Sequence, residues 1–128
     1  MFKDKFFKPP FRIIIAGSRE FNNIELLREK CDKLVSEKQK THDIQIISGT
    51  ARGADSLGEQ YATERGFKCI RMPADWDKYG KSAGYRRNEQ MAESADALIA
   101  FWDGKSRGTM HMINIAHEKG LPTRIVRY

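Results

Sequence analysis

Glycine, hydroxyl and charged side chains are concentrated in the stretch ISGTARGAD at residues 47–55. Glycine lets backbone N–H groups approach an anion closely, and arginine offers forked donors that match phosphate oxygens. Similar residue types recur in three other stretches. The candidate ligand-binding residues are Gly17, Ser18, Arg19, Ser48, Gly49, Thr50, Ala51, Arg52, Gly53, Asp55, Asp75, Trp76, Tyr79, Gly84, Arg86, Arg87, Asn88, Ser106, Arg107, Gly108 and Thr109. We expect them to hold a phosphate, or a ribose with its phosphate.

Familiar catalytic and phosphate-binding motifs are absent from the sequence. The GKS tripeptides at 80–82 and 104–106 lack the glycine that a Walker A motif needs five residues earlier, and no G-x-G-x-x-G or G-x-S-x-G occurs. His111 and His117 are six residues apart, on different faces of one predicted helix. We therefore predict no metal site and no cofactor, and a phosphate cradle of another kind.

The third stretch, ADWDKYGKSAG at 74–84, is longer than an ordinary α/β connection. Trp76 and Tyr79 are typical of a stacking wall for a base or sugar. They are equally typical of a loop packed on its own aromatic side chains. The sequence leaves both interpretations open.

Hydrophobic patterns predict the elements that position these stretches. Short apolar runs predict strands at 11–16, 43–48, 67–72 and 97–102 and a last strand in PTRIVRY. Helical patterns fall between them, the first from Asn22 to about Lys38 and others ending near Gly66 and at Gly120. This alternation predicts a three-layer α/β/α sandwich around a five-stranded, mainly parallel sheet. All four stretches would then lie at the carboxyl ends of the strands.

Composition limits the class of protein. The 128 residues suffice for one domain, which we place at 11–128, after a mobile basic and aromatic arm at 1–10 in which Pro9 and Pro10 disfavour helix and sheet. A net charge of +6 favours anionic partners. The longest apolar run is too short for a membrane span and no signal peptide is recognisable, so we expect a cytoplasmic protein without membrane contact. Cys31 and Cys69 are predicted to be core residues.

Four segments of the sequence resemble the YspA-like branch of the SLOG superfamily. They are IIIAGSREF, ISGTARGADSLGEQYATERG, PADWDKYGKSAGYRRNEQM and residues 97–126. That superfamily also contains the Lonely Guy enzymes and the DNA-processing protein A fold. The resemblance implies a Rossmann-like sheet in the order 3-2-1-4-5. It also implies a ligand that is a nucleotide, a nucleotide-derived signal or nucleic acid, and a bacterial or phage protein that forms a homodimer.

One departure from the Lonely Guy pattern bears on catalysis. Gly108 and Thr109 match the phosphate-binding half of its P-G-G-x-G-T-x-x-E motif, whereas His111 and Met112 stand where the glutamate would lie. Asp55, Asp75 or Asp103 could replace that acid, since all three should face the same cleft. Asp55 could equally serve only to stabilise the start of its helix.

Three functions follow from these observations. The leading one is binding of a nucleotide or a phosphoribosyl or ADP-ribose-like derivative by a sensor or sequestering protein. The second is an N-glycosidase, such as a phosphoribohydrolase acting on nucleoside monophosphates. The third is nucleic-acid binding, which the clustering of arginines in loops, away from a single helix face, makes less favoured.

Overall fold

The computed structural model describes residues 7–128, in which strands and helices alternate. The strands are β1 (Pro10–Gly17), β2 (Asp43–Ser48), β3 (Lys68–Arg71), β4 (Ala97–Trp102) and β5 (Thr123–Arg127). The helices are α1 (Ile24–Lys38), α2 (Ala54–Arg65), α3 (Trp76–Tyr79), α4 (Ala83–Ser94) and α5 (Arg107–Glu118). A 3-10 turn, Gly80–Ser82, joins α3 to α4.

The five strands form one parallel sheet in the order β3-β2-β1-β4-β5. The predicted sandwich and strand order are therefore confirmed. Because every strand runs the same way, the segments that follow β1, β2, β3 and β4 emerge at one end of the sheet, and the order reverses direction beside β1.

Alternate residues of β1 supply the two faces of the core. Ile13 and Ile15 pack with α1 and α2, in a cluster that includes Leu27 and Tyr61. The residues between them face α4 and α5, as Ile14 does in a cluster with Met112. The run of branched apolar residues in β1 is thus explained by burial on both faces.

Helix α2 lies unusually close to β1. Gly58 in α2 faces Ile15, and a Cβ at Gly58 would lie 2.8 Å from Ile15 Cγ2. At its end the helix stops at Gly66, which has a φ of 73° as the sequence predicts. The helix is held against the sheet at a distance that only glycine permits.

Helix α1 differs from its prediction in two details. Its N-cap is Asn23, not Asn22, because the Asn23 side chain accepts a hydrogen bond of 3.0 Å from the Leu26 N–H. With this start the capping-box spacing to Glu25 is not used. Leu34, predicted to lie on the apolar stripe, is 41% exposed, since the buried stripe runs through Leu27, Cys31 and Val35.

Two further boundaries differ from prediction. The first strand begins at Pro10, because the Pro9 carbonyl can accept a hydrogen bond from the Asp43 N–H although proline itself donates none. Residues 7–9 of the predicted arm are exposed and lie in no regular element, and residues 1–6 lie outside the described residues. The segment at 74–84, expected to be an irregular connection, contains α3 and the 3-10 turn, because the Asp75 carboxylate caps the Lys78 N–H.

Candidate functional site

A hollow of about 260 Å³ opens at the carboxyl end of the sheet, between the loops after β1 and β2 and the helices α4 and α5. We call it the α5 hollow. Eleven of the 21 predicted ligand-binding residues line it. They are Gly17, Arg19, Ala51, Asp55, Trp76, Gly84, Arg87, Asn88, Ser106, Gly108 and Thr109. Residues from all four predicted stretches therefore meet around one hollow.

A second hollow, of about 460 Å³, adjoins the first and is called the Thr50 hollow. The predicted residues Gly49, Thr50 and Arg52 line it together with Arg19, Ala51, Trp76 and Arg87, which border both hollows. Thr50 has a φ of 67°, in the left-handed region that a threonine rarely adopts. Its N–H donates to Ser48 Oγ over 3.0 Å, which helps to hold this conformation.

Arg87 lies in the wall that the two hollows share. Its Nη1 donates to the Gly49 carbonyl, and its Nε donates over 3.1 Å to Asn88 Oδ1. A Cβ at Gly49 would lie 3.0 Å from Nη1 and 2.9 Å from Asp55 Oδ2, so a larger residue here would displace one of these side chains. Burial lowers the pKa of Arg87, and among residues 7–128 no carboxylate lies within ion-pair distance of it. A half-buried cation that forms no close ion pair within residues 7–128 thus borders both hollows, although the charge of Asp55 acts on it from beyond ion-pair distance.

Asp55 is the buried acid of the α5 hollow, with a relative exposure of 6%. Its Oδ2 accepts a hydrogen bond of 3.1 Å from the Ala51 N–H, which closes the loop after β2. Burial raises the pKa of Asp55 to about 6, although the Ala51 N–H and the charge of Arg87 act in the opposite direction. Near neutral pH this carboxyl can therefore hold or release a proton.

Asn88 connects α4 to α5 and is almost fully buried. Its Nδ2 donates to the Gly108 carbonyl over 3.2 Å and lies 3.1 Å from Nδ1 of His111. With Nδ1 accepting that bond, His111 carries its proton on Nε2 when neutral. The ring of Tyr85 packs against His111 at 4.2 Å between centroids, and burial lowers the His111 pKa. Asn88 thus fixes Arg87 relative to the start of α5.

The N-terminus of α5 faces the α5 hollow. The Ser106 side chain caps the helix by accepting from the Thr109 N–H over 3.3 Å. The N–H groups of Arg107 and Gly108 come earlier in the first turn and have no acceptor within the helix. Apart from its chain neighbours and the backbone of its own helix, no described atom lies within 4 Å of where a Cβ at Gly108 would stand. This end of the hollow therefore offers free donors and open space for an anion.

Other predicted residues shape the loops without lining either hollow. Ser18 Oγ accepts from the Asp103 N–H over 3.2 Å, and Ser48 Oγ donates to Glu59 over 2.6 Å. Gly53 has a φ of 78°, and a Cβ there would lie 2.4 Å from the Ser18 carbonyl oxygen. These residues hold the loops in place.

The predicted arginines differ in their surroundings. Arg19 is exposed and borders both hollows. Arg52 borders the Thr50 hollow but pairs with Glu20 at 2.7 Å. Arg107 is exposed at the start of α5 and lines neither hollow.

Three predicted residues lie apart from the α5 hollow, contrary to expectation. Asp75, Tyr79 and Arg86 line a third hollow of about 290 Å³, the Tyr79 hollow, on the outer side of α3 and α4. Arg86 and Arg87 are consecutive residues of α4 and project about 100° apart around its axis, so that Arg87 lines the α5 hollow and Arg86 does not. Arg87 borders this hollow as well.

The structure separates the three candidate acids, which were expected to face one cleft. Asp75 caps α3 and borders the Tyr79 hollow. Asp103 accepts from the N–H groups of Lys105 and Ser106, at 2.8 and 2.9 Å, and these bonds lower its pKa. Asp55 alone among the three lines the α5 hollow. Its helix is capped by Gly53 without a side-chain bond, so Asp55 does not serve as the N-cap.

Sequence reasoning missed several residues of the α5 hollow. Lys81, Tyr85, Met91 and Met112 line it. Tyr85 stands between the predicted residues Gly84 and Arg86, and Lys81 lies in a GKS tripeptide that was set aside as a false motif. The two methionines give no sequence signal, because they follow the same apolar pattern as the rest of the core.

The strand order and the flanking helices define a Rossmann-like α/β protein whose hollows open at the carboxyl ends of its strands. Residues 11–79 match the model of the YspA, cpYpsA-related SLOG family, and the chain belongs to that family. The resemblance noted from the sequence is therefore confirmed.

A phage protein and two solved structures are similar to this chain. The Gene 61 protein of Mycobacterium phage D29 is 33% identical over 118 residues, covering 87% of this chain and 92% of the phage protein. DNA processing protein A of Streptococcus pneumoniae superposes with a TM-score of 0.67 at 18% identity, over 91% of this chain. TM1055 superposes with a TM-score of 0.60 at 18% identity, over 91% of this chain and 72% of that one.

The similarity to the phage protein and the similarity to the two solved structures support different conclusions. The chain spans half the length of DNA processing protein A, and at 18% identity the two solved structures bear on the fold alone.

In the described part of the chain, the helices are all too short or too polar to cross a membrane.

Proposed function

We propose that the protein binds a nucleotide or a nucleotide-derived molecule, with a phosphate in the α5 hollow and the adjoining Thr50 hollow. The observation that carries the proposal is Arg87, a half-buried cation that borders both hollows and makes no close ion pair among the described residues, the charge of Asp55 acting on it only from a longer distance. A buried charge is costly unless a partner compensates it, and a bound anion would do so.

The surroundings of Arg87 support an anion of this kind. Arg19 borders the same hollows from the other side, and the free N–H groups of Arg107 and Gly108 lie at the start of α5. Trp76, 54% exposed at the boundary of the two hollows, offers a flat apolar surface for a base. Membership of a SLOG family also favours a nucleotide or nucleic-acid role.

Isothermal titration calorimetry with AMP and with ADP-ribose tests the proposal on the wild type and on Arg19→Gln. The exposed Arg19 side chain makes no hydrogen bond or ion pair within residues 7–128, so its loss should leave the fold intact. A hydrogen bond to a charged group is worth about 1.5 to 3 kcal/mol. We therefore expect affinity to fall roughly 10- to 100-fold.

Arg124→Gln is the matched control. Arg124 is an exposed arginine on β5 that borders none of the hollows, and its replacement changes the net charge equally. Absence of binding heat with both ligands, from protein that is folded by circular dichroism, would refute the proposal. An equal loss in both arginine variants would show only a non-specific effect of charge.

Asp55 favours a second candidate function, cleavage of the N-glycosidic bond of a nucleoside monophosphate. A buried carboxyl with a pKa of about 6 in the α5 hollow can protonate a leaving base. Chromatography of AMP incubated with the protein should then show free adenine, and Asp55→Asn should abolish its release. The rate should decline as pH rises above 6, because the proton is lost. Binding without adenine release would leave a sensor or sequestering protein.

Homodimer formation is a further expectation from the family resemblance. Light scattering coupled to size-exclusion chromatography measures it directly. A mass of 14.7 kDa would correspond to the monomer.

A further inference from the structure

The Tyr79 hollow is positively charged. Lys78 Nζ lies 5.0 Å and the Arg86 guanidinium 4.5 Å from the centroid of the Tyr79 ring. The acid in its lining, Asp75, is turned toward the Lys78 N–H, which it caps over 3.1 Å. Within residues 7–128 neither cation has a carboxylate within ion-pair distance. The ring thus holds two unneutralised charges beside one hollow.

This hollow adjoins the site proposed above. It shares Pro73 and Arg87 with the Thr50 hollow, which in turn shares Arg19, Trp76 and Arg87 with the α5 hollow. Arg87 therefore borders all three. Trp76 stands exposed between the first two hollows, and Tyr79 lines the third. Positive charge alternating with aromatic rings is the pattern by which proteins follow a nucleotide chain.

We propose that the Tyr79 hollow is a second phosphate subsite, and that the ligand is a pair of nucleotides joined by a phosphodiester. The inference rests on the function proposed above. The first phosphate lies by Arg87 and the start of α5, and the second is bound by Lys78 and Arg86. A single nucleotide would leave the Tyr79 hollow empty, with Lys78 and Arg86 exposed there to a second phosphate.

This chemistry has two sources, a free dinucleotide and the end of a single strand. Three probes distinguish them: AMP, the 5′-phosphorylated dinucleotide pApA, and a 5′-phosphorylated, fluorescein-labelled (dA)12 strand. Calorimetry measures the first two, and fluorescence anisotropy measures the third in competition with pApA. Tighter binding of the strand than of pApA identifies a strand end, whereas equal binding identifies a free dinucleotide, and both results support the second subsite.

Lys78→Gln is the test variant. We expect pApA to bind the wild type about tenfold more tightly than AMP, since one charged contact contributes about that factor. In Lys78→Gln the advantage of pApA over AMP should be lost. Because Arg86 also bonds Ser82 Oγ at 3.1 Å, Lys78→Gln/Arg86→Gln serves as a second variant, with its fold checked by circular dichroism.

Lys33→Gln, which removes an exposed lysine on α1, is the matched control and should keep the advantage of pApA. Equal affinities of AMP and pApA for the wild type would overturn the second subsite while leaving the nucleotide site intact. An equal loss of AMP and pApA affinity in Lys78→Gln would overturn it too. No binding of either probe would overturn both proposals together.

Discussion

Replacement of Asp55 by asparagine should stabilise the protein near neutral pH. The carboxyl is 6% exposed and its pKa is raised from 3.8 to about 6 by burial. At about 1.4 kcal/mol per tenfold change in proton affinity, ionisation costs the folded state about 3 kcal/mol. Asparagine is uncharged, and its side-chain oxygen can still accept from the Ala51 N–H over a similar distance.

The sign of the pH dependence follows from the raised pKa. Between about pH 4 and pH 6 the folded protein holds a proton that the unfolded chain has lost, so its stability falls as pH rises through this window. The Asp55→Asn variant has no carboxyl at this position, so its stability does not fall in this way. We therefore expect the variant to be more stable than the wild type by up to about 3 kcal/mol near pH 7.5, and by little near pH 4.

Urea unfolding at both pH values measures the difference, because the other titrating groups contribute equally to both proteins. Asp77→Asn, which removes an exposed carboxylate in α3, is the control and should change stability little at either pH. A stability difference between wild type and Asp55→Asn that is the same at both pH values would refute the reasoning. So would a variant less stable than the wild type near pH 7.5.

Three further substitutions test how the loops are held. Gly53→Ala should lower the free energy of unfolding by more than about 2 kcal/mol, because φ is 78° and the new Cβ would clash with the Ser18 carbonyl; an unchanged urea midpoint would contradict this. Gly108→Ala should raise the free energy of unfolding by about 0.5 to 1 kcal/mol, since alanine favours helix more than glycine does. Calorimetry should show weaker AMP binding by this variant, because the new Cβ enters the open space at the start of α5. An unaltered affinity would show that Gly108 is not part of the site. Ser48→Ala should cost about 1 to 3 kcal/mol, because the Thr50 N–H loses its acceptor and Glu59 keeps only its ion pair with Arg71; thermal unfolding measures the cost, and a variant as stable as the wild type would contradict it.

The strands were predictable because burial on both faces leaves a clear signal. β2 and β4 have the predicted bounds, since each is a short apolar run between polar residues. Helix α3 was missed for the opposite reason. One turn of four residues, none of them buried, carries no hydrophobic period, and its one sequence signal is the capping residue Asp75.

The location of the candidate site could be predicted from the sequence, but the roles of its individual residues could not. Parallel strands with the same direction bring the four stretches together, so the meeting of Gly49, Arg87 and Gly108 around adjoining hollows followed from topology. Burial depth and side-chain direction do not follow from topology. For that reason the sequence could neither select Asp55 from the three acids nor separate Arg86 from Arg87, its neighbour in the chain.

The close seating of Gly58 on Ile15 has a mechanical consequence for the two sides of the site. On the α2 side the helix cannot move toward the sheet, so the loop bearing Thr50 is anchored on a stiff support. On the opposite side of the site, no residue from 73 to 82 is buried, so few packing contacts hold that segment in place. We therefore expect ligands of different size to be accommodated by movement of residues 73–82, including Trp76, whereas the loop bearing Thr50 keeps its conformation.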